Sequence, residues 1–193
     1  YKLDTWNEFT WGLGYRFTPD DIDDSPSLSF QPLKRGDNVF SIFMQDEMSF
    51  LEDTVKVTIG NKVEHNDYTG FEVQPNIRAL WSLADNQALW AAVSRAVRTP
   101  SRFESDVVID ASPYYYFTGN NSLRSEDLLA YEVGYRIQPT KRLSFDSATF
   151  YNVYDGIIND VRDETFENVY DGETYGIENT VNWAAFDRWK LAG

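Results

Sequence analysis

The chain has 193 residues and a formal net charge of −14, from 31 acidic against 17 basic side chains. That balance argues against nucleic acid as a partner, because a phosphate backbone is bound by Lys and Arg that displace its counterions. There is no Cys and a single His, His65, which excludes a disulfide framework, thiol chemistry and a multi-histidine metal site, and no apolar run is long enough for a spanning helix.

Residues 5–16 alternate, with Phe9, Trp11, Leu13 and Tyr15 against Glu8, Thr10, Gly12, Gly14 and Arg16. Side chains of a strand point to opposite faces in turn, so one face is apolar and the other polar. Residues 17–36 interrupt the pattern with Pro19, Asp20, Asp21, Asp23, Asp24, Pro26 and Pro32, and read as a long polar loop. Alternation returns over 38–51, where Asp46 interrupts an apolar set of Phe40, Ile42, Met44, Met48 and Phe50. It continues over 54–65 and 71–83, where Pro75 cannot donate to a ladder and predicts an irregular strand start. The strand at 87–97 has two readings: either Leu89, Ala91 and Val93 share the apolar face, or Trp90 and Ala92 do.

The stretch 98–124 is the longest irregular segment. The clearest strand follows at 125–137, with Leu129, Tyr131, Val133, Tyr135 and Ile137 opposite Leu128, Ala130, Glu132, Gly134 and Arg136, which are small or charged apart from Leu128. A short turn at Pro139–Lys141 leads to a strand at 142–155, an acidic loop at 156–167, an eighth strand at 168–183, a turn at Ala184–Asp187 and a partial strand at 189–191. Helical spacing is weak throughout.

In order, the connections run long, short, medium, short, long, short, medium, short. In a meander, alternate connections lie at the same end, so all short turns collect at one end and all longer loops at the other. That asymmetry, with strands longer than the usual five or six residues, is the pattern of a membrane barrel. A glycan-binding β-sandwich is the competing fold and function; it would hide its aliphatics between two sheets. The expectation is an all-β, antiparallel up-and-down meander of about nine long strands, an arc of a large transmembrane β-barrel occupying 1–193 as one domain. The start at Tyr1 without Met, and the end just after a partial strand, read as a piece of a longer protein.

Gly119-Asn120-Asn121-Ser122-Leu123-Arg124-Ser125-Glu126, followed by Tyr131-Glu132-Val133-Gly134-Tyr135, resembles the late-barrel signature of TonB-dependent outer-membrane receptors. Ser125 stands where that signature usually has proline. Phe40–Glu47, Thr58–His65, Ser94–Pro100, Phe150–Asn152 and Tyr175–Glu178 are similar to further pieces of the same family, in order. The resemblance implies a middle-to-late segment of a 22-stranded barrel without its plug domain. It also implies a role in TonB-coupled uptake of a scarce nutrient, such as a ferric chelate or cobalamin, across the outer membrane of a Gram-negative bacterium. The implied partners are outer-membrane lipid, a metal-chelate or similar small ligand, and TonB through the plug. No cofactor is called for.

Within the longest loop, Tyr114, Tyr115, Tyr116 and Phe117 form a candidate ligand-gripping cluster, set against the plainer reading of a loop packed on itself. Arg98, Arg102 and Arg124 flank it and could hold an anionic ligand bidentately; pairing with local acids is the favoured reading. Asp20, Asp21, Asp23 and Asp24 lack a calcium-loop spacing and read as solvated charge. Nothing frames a Ser as a nucleophile for His65, so no catalytic residue and no enzyme is expected. The polar-face charges Glu8, Arg16, Glu47, Lys56, Glu64, Arg78, Glu132, Arg136 and Glu178 mix signs, which favours cross-strand pairing over a selectivity ring.

Overall fold

The computed structural model describes residues 2–4, 6–161, 164–186 and 189–192. The nine expected strands are β2 (Asn7–Asp21), β4 (Lys34–Phe50), β5 (Val55–Asn66), β6 (Gly70–Ala84), β7 (Gln87–Arg98), β10 (Glu126–Thr140), β11 (Leu143–Val161), β12 (Thr165–Phe186) and β13 (Trp189–Ala192). A short β1 (Lys2–Asp4) precedes them, and three small strands, β3 (Leu28–Phe30), β8 (Val107–Ala111) and β9 (Tyr115–Thr118), lie in the loops with a one-turn helix, α1 (Arg102–Asp106). Successive wall strands pair antiparallel in one sheet, β1-β2-β4-β5-β6-β7-β10-β11-β12, with β13 on β12. Among the described residues no second sheet packs on the apolar face, so the sandwich is excluded. No helix of the described residues is long and apolar enough to cross a membrane.

The register carries one face across the whole arc. Phe9, Asp46, Ile59, Ile77, Val93, Tyr131, Tyr151 and Tyr175 are successive cross-strand partners. A second row runs Met48, Val57, Ala79, Ala91, Val133, Thr149, Ile177. Directly opposed residues point the same way, so Leu89, Ala91 and Val93 lie on the apolar face, and Trp90 and Ala92 on the polar one. Trp11, Leu13, Tyr15, Ile59, Val133, Tyr175 and Ile177 are solvent-exposed, which is how a lipid-facing surface looks without lipid.

Strand tilt can be read from the same row. It begins at Phe9, two residues from the start of β2, and ends at Tyr175, eleven residues from the end of β12. The row therefore climbs about nine residues over seven strand steps; at roughly 3.3 Å per residue and 4.8 Å per strand this is a tilt of about 40°. Aromatics bracket the face along single strands: Phe40 and Phe50 on β4, and Phe71 and Trp81 on β6, each pair ten residues apart. At that tilt the separation projects to about 25 Å, the height of an outer-membrane apolar band with its aromatic girdles.

The two ends differ as the connection lengths predict. At the short-turn end, each turn is tied to the next by one backbone bond: Ser82 N–H to Thr54 O (2.8 Å), Gln138 N–H to Asn86 O (2.8 Å) and Ala184 N–H to Arg142 O (2.7 Å). At the other end the long loops knit together. β3 pairs with β8, β8 with β9, and β9 touches β12 through Thr118 and Thr165. The loop at 98–124 thus projects with those around 22–33 and 161–165. This cap holds most of the buried apolar residues: Val107, Phe117, Leu123 and Ile158. The wall is a single layer, and among the described residues only Ala92 of its apolar side chains below the cap is buried.

Several expectations are corrected. The loop at 17–36 is shorter, because β2 runs to Asp21 and β4 starts at Lys34; the acidic stretch 156–167 is mostly the tip of the β11–β12 hairpin, bent by register shifts around Gly156. Both projections stand above the apolar band, where water lies on both faces. Pairing continues there while the alternation that signals it has no reason to persist. Arg162 and Asp163 of that stretch, and Asp187 of the last expected turn, lie outside the described residues. The irregularity at Pro75 is one-sided: pairing with β5 runs unbroken through it, whereas pairing with β7 begins only at Asn76.

Candidate functional site

The polar face is concave. One row across it reads Glu8, Glu47, Thr58, Arg78, Ala92, Glu132, Phe150, Gly176. A recess of about 650 Å³ is lined by Glu47, Lys56, Lys62, Gln74, Arg78 and Glu132, among others. Charges pair between and along strands: Lys56 with Glu47 (3.3 Å), Lys62 with Glu64 (2.6 Å) and Arg136 with its register partner Asp146 (2.6 Å).

Large rings on this face lie across glycines. Phe43 faces Gly12, Trp90 faces Gly134 and Phe150 faces Gly176. A Cβ on Gly134 would sit 2.4 Å from the Trp90 indole. Gly134→Val is therefore expected to cost about 1–3 kcal/mol through displacement of that ring. Trp90→Ala in the same chain should recover part of the loss, which a double-mutant cycle of unfolding in denaturant would read as coupling.

The loop cap is held by two ion-pair clusters. In the first, the Asp106 carboxylate, only 1% exposed, accepts from Arg35 Nη1 at 2.7 Å and lies 3.7 Å from Arg102 Nε. Arg35 also donates to Asp37 (2.6 Å) and stacks over the Tyr68 ring at 4.2 Å, while the Tyr68 hydroxyl donates to Asp37 (2.6 Å). Burial, reinforced by that bond to Asp37, pushes the Tyr68 hydroxyl well above its ordinary value. Arg102 pairs with Asp20 and donates to the Pro32 carbonyl, tying α1 to the loop after β2. In the second cluster, Arg98 bridges Glu104 (2.9 Å) and Glu126. Ser101 caps α1, its hydroxyl accepting from the Glu104 N–H while the Glu104 carboxylate accepts from the Ser101 N–H. Burial works against ionisation of Glu104, yet the bonds from Arg98 and Ser101 prevail and hold its carboxyl below the ordinary range.

The signature-like motif anchors this cap. Asn120 Nδ2 donates to the Phe166 carbonyl at 2.9 Å, and its Oδ1 accepts from the Ser122 N–H at 2.8 Å. Leu123 is buried, and Arg124 pairs with Asp155 at 2.8 Å. Arg98, Arg102 and Arg124 therefore all have carboxylate partners. Tyr114 is 92% exposed and Tyr116 is exposed, whereas Phe117 is 4% exposed, stacked against Tyr115 and edge-on to Phe166. Tyr116 borders a recess with Thr118, Gly119, Asn120, Glu164 and Thr165. Asp20 and Asp21 are used in pairs with Arg102 and Lys34, and among the described residues no three acidic or histidine groups converge as a metal site.

Sequence reasoning missed Arg35, Asp37, Tyr68 and Asp106, which meet only through tertiary packing. It also passed over α1: the Ser101-x-x-Glu104 spacing is the signal that marks its start, but a helix of one turn has no periodicity to accompany it.

A TonB-dependent receptor-like β-barrel family model matches residues 1–193. The chain belongs to that family. Solved structures agree on the fold. The siderophore receptor PirA from Pseudomonas aeruginosa superimposes with a TM-score of 0.81 at 16% identity, over 99% of this chain and 36% of that one. A variant of the ferric enterobactin receptor PfeA from Pseudomonas aeruginosa gives 0.78 at 21% identity, over 98% of this chain and 33% of that one. The FrpB iron transporter from Neisseria meningitidis gives 0.71 at 10% identity, over 96% and 32%. The chain thus spans about a third of the length of these structures. No curated protein matches it. All three matches are receptors or transporters by description. In a receptor barrel of this family the apolar face is the lipid face and the concave polar face is the lumen wall.

Proposed function

We propose that this chain is the middle-to-late wall, with its loop cap, of an outer-membrane receptor that takes up a ferric chelate of the siderophore type in a Gram-negative bacterium. The observation that carries the reading is the continuous apolar face, about 25 Å high between aromatic rows and backed by a charged concave face, in a chain of the TonB-dependent receptor-like family. The relatives described as siderophore and ferric enterobactin receptors support iron chelates over other cargo. Energy coupling through TonB belongs to a plug domain within the same receptor, and outer-membrane lipid covers the apolar face.

Ligand contact is assigned to Tyr114 and Tyr116, whose rings stand free in solvent. Phe117 anchors the strand, stacked against Tyr115 and edge-on to Phe166, and Arg98, Arg102 and Arg124 brace the loop through their acid partners. The test is uptake and binding of iron-loaded siderophores by cells carrying the receptor. Combined Tyr114→Ala and Tyr116→Ala substitution is expected to weaken binding about tenfold or more, the loss of more than 1 kcal/mol usual for exposed aromatic anchors. Receptor abundance in the outer membrane should be unchanged. Unchanged binding would move the ligand contact away from this loop; failure of every iron chelate to bind would overturn the assignment of cargo.

A further inference from the structure

The wall is not uniformly zipped. β6 and β7 pair from Ala84–Gln87 up to Asn76–Ser94 and no further. Above that point Gly70–Pro75 still pairs with β5, and Arg95–Arg98 still pairs with β10. The arc is therefore split at its loop end into two leaves, one ending in the β5–β6 hairpin and the other in the β7–β10 edge. Pro75, which has no N–H to offer, sits at the base of the split.

The cap joins the leaves above, through β3 on β8 and the Gln31 N–H bond to the Asp106 carbonyl; along the split itself, between β6 and β7, the bridges come from side chains. Arg95 reaches across from the β7 side: Nη1 donates to the Val73 carbonyl, and Nη2 pairs with Asp127 of its own leaf and lies 3.8 Å from Glu72 on the other. Ser125 donates its hydroxyl proton to the Glu72 carboxylate, and its Oγ lies 3.1 Å from Thr69 Oγ1 in the β5–β6 turn. Glu72 and Ser125 are both buried, at 8% and 5% exposure. Ser125 stands where the signature resembled by this segment usually has proline, which has no hydroxyl and could not make either contact.

We propose that this split is a latched seam in the barrel wall: above Pro75 the edge of β6 that faces β7 is unpaired, β5 staying laddered to β4 up to Asn66, and the seam is held shut by Ser125, Glu72 and Arg95. Ladder hydrogen bonds tie an inner strand to its two neighbours at alternate residues along its whole length, whereas the seam relies on one carbonyl acceptor, one buried carboxylate and the Ser125–Thr69 hydroxyl contact. Elements with few backbone bonds across their boundary open at lower free energy than the ladder around them. Release of the latch opens the upper edge of β6 to water, while its ladder to β5 and its turn-end pairing with β7 stay zipped. The inference stands on the pairing of the wall and is independent of which chelate is carried.

Hydrogen exchange read by mass spectrometry, on the receptor carrying this chain in detergent micelles, tests it. Amides of 71–74 and 96–97 are expected to exchange at least tenfold faster than those of 129–132 and 150–153, which are paired on both sides. Ser125→Ala, and separately Ser125→Pro, should speed exchange at 71–74 by a further factor of several, with 129–132 unchanged. The comparison within the unmodified protein needs no variant to fold. Protection at 71–74 equal to that at 129–132 would overturn the seam, and exchange unaltered by both substitutions would overturn the latch.

Discussion

Asp106→Ala is expected to unfasten the loop cap while leaving the wall intact. The Asp106 carboxylate is buried between Arg35 and Arg102, with no comparable acid to replace it on the Arg35 Nη1 side. Removing one member of a buried ionic cluster leaves the others desolvated without compensation, at a cost of about 3–5 kcal/mol. The loss falls on a local unit. α1 and β8 are joined to the wall by the Asp106 cluster, by the Arg98 bridge and by the bond from the Gln31 N–H to the Asp106 carbonyl. The wall has its own ladders, so its unfolding midpoint should move little. Limited proteolysis is the direct measurement: cleavage within 101–118 should become fast, while the barrel keeps its heat-modifiable migration on gels. Asp106→Asn, which keeps the shape and one acceptor, should give an intermediate rate. An unchanged cleavage rate in the alanine variant would show that the apolar contacts of Val107 and Phe117 hold the cap without the ion pairs.

The parts of this molecule that were legible in its sequence are those where lipid and water lie on opposite sides of one strand. Trp11-Gly12-Leu13 and Tyr131-Glu132-Val133 each state which side is which, and the two statements agree once the register joins them across the sheet. The connection lengths likewise placed the loops at one end, because a meander leaves no other arrangement. The strand at 87–97 was ambiguous because Trp90 puts the largest ring of that strand on the polar face; its room comes from Gly134 on the neighbouring strand, a fact of pairing and not of local sequence. Above the band the code falls silent: Thr18-Pro19-Asp20 pairs with Arg35-Gly36-Asp37 as regular strand, although nothing alternates. In the cap, Leu28–Phe30 becomes a strand only because Val107–Ile109 lies beside it, and Arg35 finds Asp106 71 positions away. Contacts of that range leave no periodic trace. Of the aromatic loop the sequence could name the ring cluster, but only packing against Phe166 separates buried Phe117 from free Tyr114.

Val133→Arg is expected to destabilise the folded barrel in lipid by about 2–4 kcal/mol, the cost of a guanidinium near the bilayer midplane. Val133 is the middle residue of β10 and half exposed on the apolar face, flanked in register by Ala91 and Thr149. None of these neighbours offers a carboxylate, and the nearest acid along the strand on the same face is Asp127, three alternations away. An arginine can extend toward the interface, which is why the cost stays at a few kcal/mol instead of that of a bare ion. The control is Asn152→Arg on the next strand. Asn152 pairs with Ala130 and donates to Thr174 Oγ1 at 3.3 Å from the polar face, so the new charge meets water and the change should stay within about 1 kcal/mol. The two substitutions add the same side chain to adjacent strands, three register positions apart, and they occupy opposite faces. Equilibrium folding into lipid vesicles under denaturant titration reads both. Equal effects would mean that the two faces of the sheet do not see different solvents, and the assignment of the apolar face to lipid would fall with them.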